Sequence, residues 1–330
     1  MRVERSIDEI ILYGTLSLLT GGFNLLVNGR AAWMVRRVES TRSTPFATLT
    51  SSMAVADCIT SALVAFWATP LTYGQFDTIA RSVTGRRIGT IAILTQVAGL
   101  LNLLAIAVNR SVAMASPSLY QLIFTARNTK AIIAVLWLLA AVCYVRAFPV
   151  GCSVFYEPTE FLWMWELTPC GQHNGLYLDF GLASILTALV LAFNLLAAAF
   201  LIKSNKALLE QVRLAANKNE ARRRQLQERR FLAMTTVNTT AWVLLILSFH
   251  WLAYKTETTF TLFLTTTIAW MLGVSTNGLV MLLFLKEVRH ASFSCCYGCA
   301  PTQPEHTSVR VDAIGGGNTR QGWATRENVD

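Results

Sequence analysis

The chain has 330 residues, of which 53% are hydrophobic and only 14% are charged. Roughly a quarter of the residues in a soluble domain are charged, so this composition excludes an ordinary soluble protein. The formal net charge of +9 does not indicate a nucleic-acid partner, because the basic residues flank long uncharged segments and no separate domain surrounds them.

Six segments without Asp, Glu, Lys or Arg approach or exceed the roughly 20 residues that a helix needs to cross a bilayer. In chain order they are 10–29, 58–76, 88–109, 180–202, 231–254 and 258–285. The second begins earlier, near Phe46, and includes Asp57. A shorter segment, 131–145, completes a set of seven, because Arg146 can reach toward the interface and 147–151 lengthens it. Since lipid offers the backbone no hydrogen bonds, we predict an all-α bundle of seven transmembrane helices.

The distribution of Lys and Arg predicts an outer N-terminus and an inner C-terminus. The first segment is too long for a signal peptide and no small-residue cleavage site follows it, so we interpret it as an anchor. The inner segment 203–230 holds nine basic and three acidic residues, and its composition favours inner extensions of the fifth and sixth helices. We expect a short amphipathic helix after the seventh span and a disordered cytoplasmic tail over 300–330.

Several classes of seven-helix protein are excluded by what the segments lack. Segment 258–285 contains no lysine for a retinal Schiff base, and of the four histidines only His250 lies in a span, which disfavours a zinc hydrolase. A small transporter or channel stays an alternative, although no internal repeat is visible and Asp57 is the one charge that we place deep in a span. No catalytic constellation is apparent, so we do not expect an enzyme.

The inner end of the third segment places Asn109 and Arg110 side by side, with Pro117 and Tyr120 following. Pro117 is expected to end the helix, because the residue before a proline is pushed away from helical angles. Arg110 then lies at the water boundary. It is either a simple interfacial anchor or a switch that contacts an inner partner.

Five stretches, in order, resemble the serpentine receptor class X (Srx) family of nematode chemoreceptors, which are rhodopsin-like G-protein-coupled receptors. The resemblance covers about residues 10–293, which lie within an expected receptor domain 1–299. The stretches are GGFNLLV, TPFATLTSSMAVADCITSALVAFWATP, LLAIAVNRSVAMASPSLY, GCSVFYEPTEFLWMWELTPCGQHNGLYLDF and NGLVMLLFLKEVR.

The resemblance implies a chemosensory receptor in the plasma membrane of a sensory neuron or cilium, with a heterotrimeric G protein as inner partner and an unknown small molecule or peptide as outer ligand. It also implies three groups of site residues. The expected coupling switch comprises Asn109, Arg110 and Tyr120. The expected interhelical polar network, where the resemblance allows a sodium ion near Asp57, comprises Asn24, Asp57, Ser275 and Asn277. An apolar ligand pocket among helices three, five, six and seven, under the second outer loop, has as candidate contacts Gln96, Trp165, Tyr177, His250 and Trp270.

Three departures from the rhodopsin-like pattern bear on mechanism. Asn109 stands where most such receptors have an acid, so charge pairing cannot hold Arg110, although an amide can hydrogen-bond it. The sixth span has no proline, and Gly278 follows Asn277 where a proline is usual. These departures leave open a receptor-like protein that no longer signals.

The cysteines divide by compartment. Cys152 and Cys170 lie in the second outer loop, and no cysteine lies near 86–90 to form the usual bridge to the third helix, so we predict that the two pair with each other. Three cysteines follow the seventh span on the inner side. We predict palmitoylation there, with zinc binding as the weaker alternative, at Cys295, Cys296 and Cys299.

Overall fold

The computed structural model describes residues 5–37, 44–212 and 218–284, with side chains left undescribed at 204–225 and at 227 and 228. Seven helices in the described part are long and apolar enough to span a membrane. They are α1 (Ile7–Arg37), α2 (Pro45–Gly74), α3 (Val83–Ala115), α4 (Ala126–Ala147), α5 (169–212), α6 (218–255) and α7 (Thr259–Phe284). The predicted seven-helix fold is confirmed; the expected amphipathic helix, the acylation cysteines and the tail 300–330 lie outside the described residues.

The helices bury many of their polar side chains, and large apolar side chains cover much of the outer surface. On α1, Asn24 and Asn28 are buried, whereas Leu19 and Leu26 are exposed. This is the reverse of a soluble helix, because lipid accepts apolar surface and cannot hydrogen-bond an amide. These buried polar side chains therefore make contacts between helices.

Helix α3 occupies the centre of the bundle. It packs against α2, α4 and α5 and also meets α6 near the inner end, whereas α1 packs between α2 and α7. Two glycines allow close approaches around α1. A Cβ on Gly21 would lie 3.0 Å from the backbone nitrogen of Ala65, and one on Gly278 would lie 2.7 Å from Oδ1 of Asn28. Gly278 thus lets α7 pack closely on α1.

Four of the spans contain a π-helical turn in their outer half or at their outer end. The turns are Val64–Ala68 in α2, Gly175–Gly181 in α5, Ser248–Leu252 in α6 and Leu264–Ile268 in α7. In α6 the turn takes the place of the missing proline as the local irregularity. Ser248 in this turn donates a hydrogen bond of 2.7 Å to the carbonyl of Thr265 in the facing turn of α7.

The second outer loop folds into a β-hairpin, which the sequence did not indicate. Strand β1 (Val154–Glu157) pairs antiparallel with β2 (Leu162–Trp165). Phe161 at the turn has a φ of 60°, and its ring packs 4.2 Å from that of Tyr13 on α1. The carbonyl of Phe161 accepts a hydrogen bond from Thr267 on α7. The hairpin is thereby fastened across the outer end of the bundle.

A disulfide joins Cys152 to Cys170 with a Cα–Cα distance of 4.9 Å, which confirms the predicted pairing. The link from this loop to α3 is polar. One oxygen of Glu166 lies 2.9 Å from Nε of Arg86 on α3, and the other accepts hydrogen bonds from the backbone amides of Gly151 (2.6 Å) and Ser153 (3.0 Å). This carboxylate therefore links the loop to α3, where most rhodopsin-like receptors have a disulfide to the third helix.

At the inner side, α3 ends at Ala115 and Ser116 adopts extended backbone before Pro117 begins a short helix, Pro117–Ile123. The predicted effect of Pro117 on the chain is therefore seen. Helix α5 continues to Val212 and α6 begins at Lys218, so 203–230 is largely helical, as its composition indicated.

Replacing Gly278 with Ala is expected to lower stability, because the added methyl group meets α1 at van der Waals overlap. The expected loss is about 1–3 kcal/mol, the usual cost of overpacking. Thermal unfolding of the purified protein in nanodiscs measures it. Gly22→Ala is the matched control, since a Cβ there meets nothing within 4 Å and should stabilise by about 0.5–1 kcal/mol. A Gly278→Ala protein that melts at or above the wild-type temperature would contradict the close approach.

Replacing Glu166 with Ala should release the hairpin loop from α3 while the disulfide stays intact. Hydrogen exchange at the amides of Gly151 and Ser153 is expected to rise about tenfold or more, because a hydrogen bond to a charged group contributes about 1.5–3 kcal/mol. Exchange measured by mass spectrometry on the intact protein reports this. Glu160→Ala in the same loop is the control, since Glu160 pairs with Arg5 instead; equal exchange in both variants would refute the anchoring role.

Candidate functional site

A cavity of about 450 Å³ opens in the outer half of the bundle. Helices α3, α5, α6 and α7 form its walls, and the hairpin with the residues after it forms its roof. This is the location that the sequence analysis predicted for a ligand pocket. Its volume lies in the range of small-molecule sites.

Aromatic rings dominate the walls of the cavity. Trp163 on the roof meets Trp270 on α7 edge to face, with centroids 6.3 Å apart and planes at 85°. Both side chains are buried, so the contact ties the roof to α7. The other aromatic lining residues are Trp165, Trp242, Phe249 and Tyr254.

Three side chains give the cavity its polar character: Gln96 on α3, Asp179 on α5 and His250 on α6. Trp165 donates a long hydrogen bond of 3.4 Å to Oδ2 of Asp179. The ring of His250 packs 4.8 Å from that of Phe180. Polar groups on three different helices therefore converge on one apolar space.

The structure brings together four of the five candidate ligand contacts and separates the fifth. Gln96, Trp165, His250 and Trp270 line the cavity. Tyr177 does not, because the π-helical turn at the start of α5 directs it outward, where it is 57% exposed and packs against His173. The prediction for Tyr177 as a cavity contact is therefore wrong.

Asp179 is the cavity residue that the sequence analysis missed. It directly precedes the uncharged segment 180–202, so its charge was taken to mark the end of a span. In the structure the span begins ten residues earlier, at Pro169, and Asp179 lies inside it. The idea that Asp57 is the one charge deep in a span is corrected accordingly. Pro169 after Thr168, a helix-start pattern, was the available signal.

Deeper in the bundle, Asp57 on α2 is buried and bonded to α7. Its Oδ2 accepts a hydrogen bond of 2.9 Å from the amide of Asn277. Asn238 on α6 in turn donates to Oδ1 of Asn277 at 3.5 Å. A Cβ on Gly99 of α3 would lie 3.5 Å from Oδ1 of Asp57. One carboxylate thus connects α2 with α7, and through Asn277 with α6, beside the glycine face of α3.

The other predicted network residues fall outside this chain of bonds. Asn24 donates to the carbonyl of Met271 at 2.6 Å, and Asn28 donates to that of Val274 at 3.2 Å, so they form a separate α1–α7 link. The hydroxyl of Ser275 donates to the backbone carbonyl of Leu272, one turn earlier in the same helix, and to no other helix within the described residues. The prediction that Ser275 joins the interhelical network is therefore wrong.

At the inner end, Arg110 lies among aromatic rings. Its guanidinium carbon is 3.8 Å from the ring centroid of Phe231 on α6 and 4.4 Å from that of Phe46 on α2. The two rings lie 4.7 Å apart. We call these three residues the inner aromatic contact. It joins α3 to α2 and α6 at the level where the bundle meets the cytoplasm.

Asn109 and Tyr120 do not take part in the inner aromatic contact. Asn109 is fully buried, and its side-chain amide makes no hydrogen bond within the described residues, so it does not bond Arg110. Tyr120 stacks on Phe124 in the second inner loop, with centroids 5.5 Å apart. The closeness of the three residues in the sequence suggested that they form one switch. In the structure, the rings that contact Arg110 come from α2 and α6, which are distant from it in the sequence.

Among the described residues, no group of three or more His, Cys, Asp or Glu side chains is placed to hold a metal ion. Asp57 is the single carboxylate of its cluster, and a sodium ion beside it stays a prediction.

Comparison with known proteins agrees with this architecture. The crystal structure of squid rhodopsin superimposes with a TM-score of 0.72 at 14% identity, covering 90% of this chain and 87% of the other. Among curated proteins, none matches the sequence. The family model described as serpentine type 7TM GPCR chemoreceptor Srx matches residues 19–284. The chain belongs to the Srx family of serpentine seven-transmembrane chemoreceptors.

Proposed function

We propose that this receptor converts the binding of an extracellular small molecule or peptide in the outer cavity into activation of a heterotrimeric G protein. The observation that carries the proposal is that α6 contributes to both sites. Trp242 and His250 line the cavity, and Phe231 holds Arg110 in the inner aromatic contact.

The outer cavity and the inner aromatic contact lie at the two ends of one continuous helix, so a rigid movement of α6 would affect both. Phe231 and His250 are nineteen residues apart on one helix, and at about 1.5 Å per residue this spans about 30 Å. A ligand that favours one packing of α6 in the cavity therefore also biases the packing at the inner end. Such coupling needs only two arrangements of α6 with different affinities for the ligand.

The inner aromatic contact supports a resting state that cation–π attraction helps to hold. A guanidinium over aromatic rings contributes about 0.5–1 kcal/mol when exposed and about 2 kcal/mol when desolvated. That is enough to bias an equilibrium and small enough for a ligand to overcome. Asn109 carries no charge, and the rings of Phe46 and Phe231 attract the guanidinium of Arg110.

Once α6 moves, Arg110 becomes available to a partner on the inner face. By sequence, the inner segment 203–230 holds nine basic and three acidic residues. This excess of positive charge favours both anionic lipid and an acidic docking surface. We place the receptor in the plasma membrane, as a multi-pass protein of a sensory neuron or cilium, with no enzymatic activity of its own. Acylation of Cys295, Cys296 and Cys299 would add a lipid anchor beside this face.

Replacing Arg110 with Ala is expected to abolish receptor-dependent nucleotide exchange. The residue then offers no cation to the G protein, whichever packing α6 adopts. Exchange is measured on purified G proteins with membranes that carry matched amounts of surface receptor. Arg127→Ala is the control, because Arg127 is an exposed basic residue at the inner start of α4.

The outcomes of this experiment separate four interpretations. Exchange that depends on Arg110 and not on Arg127 supports the coupling role. Equal loss in both variants indicates that only inner positive charge matters. Exchange that persists in Arg110→Ala contradicts the proposed role of the residue, and a wild-type receptor that is silent with every G protein and extract would favour the receptor-like protein that no longer signals.

Replacing Phe231 with Leu should raise basal exchange, because leucine fills similar space and removes the ring that faces Arg110. The expected increase is about 2- to 30-fold, which corresponds to about 0.5–2 kcal/mol. Phe66→Leu is the control, since Phe66 is exposed on the lipid side of α2. If Phe231→Leu instead lowers exchange as Arg110→Ala does, the contact stabilises the active packing and the resting-state assignment is overturned.

A further inference from the structure

The outer cavity is lined by an acidic side chain, and its apolar walls strengthen the effect of that negative charge. Among the described residues that line it, Asp179 is the one acid, and neither Lys nor Arg is present. His250 is the other titratable group apart from the phenol of Tyr254. A single carboxylate in a low-dielectric space attracts positive charge more strongly than it would in water.

Asp179 has two partners in the described protein: a long hydrogen bond from Trp165 and an electrostatic interaction with His250 on α6. Its one hydrogen bond within the described residues is the 3.4 Å bond from Trp165. None of the ion pairs of the described residues includes it, so no Lys, Arg or His nitrogen there lies within 4.0 Å. An ionised carboxylate at membrane depth requires a partner of opposite charge. Part of its surface stays accessible, and it lines the cavity.

The rings around this carboxylate are suited to the same kind of ligand. The indole of Trp165 both bonds Asp179 and lines the cavity, and Trp163, Trp242 and Trp270 line the remaining walls. Indole faces attract ammonium groups more strongly than other aromatic faces do. The apolar part of a ligand gains from burial against the same rings.

We propose that the cavity binds an organic cation: a compact ammonium compound whose charged nitrogen pairs with Asp179 and whose apolar body packs among the tryptophans. Gln96, whose amide makes no hydrogen bond within the described residues, supplies a second polar contact. This proposal names the ligand class of the function proposed above and rests on the cavity being the ligand site. The competing arrangement is a protonated His250 that neutralises Asp179 and leaves the cavity without preference for cations.

The test measures the charge preference of the cavity without needing the natural ligand. Gln96→Cys places a thiol in the cavity, and the receptor on intact cells is treated with methanethiosulfonate reagents of similar size that carry either a trimethylammonium or a sulfonate group. Tryptic peptide 88–110 contains no native cysteine, so mass spectrometry of that peptide reports the modification of the introduced thiol alone. Rates are normalised to those of free 2-mercaptoethanol, and a neutral methyl reagent serves as the control for access.

The normalised rate with the trimethylammonium reagent should exceed that with the sulfonate reagent by about tenfold or more, as expected for one unscreened negative charge nearby. Adding Asp179→Asn should bring the two rates to within about twofold of each other. Adding Glu257→Gln, which removes an exposed outer carboxylate, should leave the ratio unchanged.

Equal rates for the two charged reagents, a faster sulfonate reaction, or entry of the neutral reagent alone would overturn the proposal. So would a ratio that does not respond to Asp179→Asn. If that variant fails to reach the surface, the two rates on Gln96→Cys alone still decide. No G protein takes part, so the result is independent of whether the receptor signals.

Discussion

The lack of hydrogen-bonding partners in lipid is the constraint on which this structure depends. An amide or carboxylate in a span is stabilised by a partner on a neighbouring helix or in its own backbone. Asn24 and Asn28 fasten α1 to α7 for this reason, and Asp57 fastens α2 to α7 through Asn277. The same side chains that make the fold possible therefore also decide which helices move together.

This constraint divides the bundle into a bonded part and a less bonded part. Helices α1, α2 and α7 share buried polar contacts and close approaches at Gly21 and Gly278. Helix α6 is tied to α7 by the Ser248–Thr265 bond and the long Asn238–Asn277 bond, to α5 by a 2.6 Å bond from Asn194 to Thr239, and to α3 by aromatic packing on Arg110. Rings and guanidinium groups can slide past each other with little loss, whereas a short amide bond cannot. Helix α6 can thus shift against α3, whereas its short bonds to α5 and α7 limit how far it can move independently of them.

The number and order of the helices could be predicted from the sequence because long uncharged segments leave few alternatives in a membrane. The Cys152–Cys170 pair could be predicted because no other outer cysteine was near. The contacts of Arg110 could not, since Phe46 and Phe231 are distant in sequence and look like ordinary apolar residues. The position of Asp179 was predicted wrongly because a charge beside an apolar segment usually marks the end of a span. The orientation of Tyr177 was predicted wrongly because it depends on a π-helical turn, and no residue type in the sequence indicates such a turn. Patterns of hydrophobic and charged residues along the sequence indicate which segments are buried in the membrane. They do not indicate which side chains contact each other.

The manner in which the roof of the cavity is fastened has a consequence for how long a ligand stays bound. The disulfide closes the loop upon itself and leaves it covalently independent of α3, so the roof can lift as one piece on its two chain connections. Glu166 with Arg86, and Phe161 with α1 and α7, hold it down through contacts that break and re-form without any redox chemistry. Residence time is then set by how often these contacts break together. The Arg86–Glu166 pair is mostly buried, so salt screens it only weakly. A chemoreceptor built in this way would hold its ligand for a similar time in saline and in dilute surroundings.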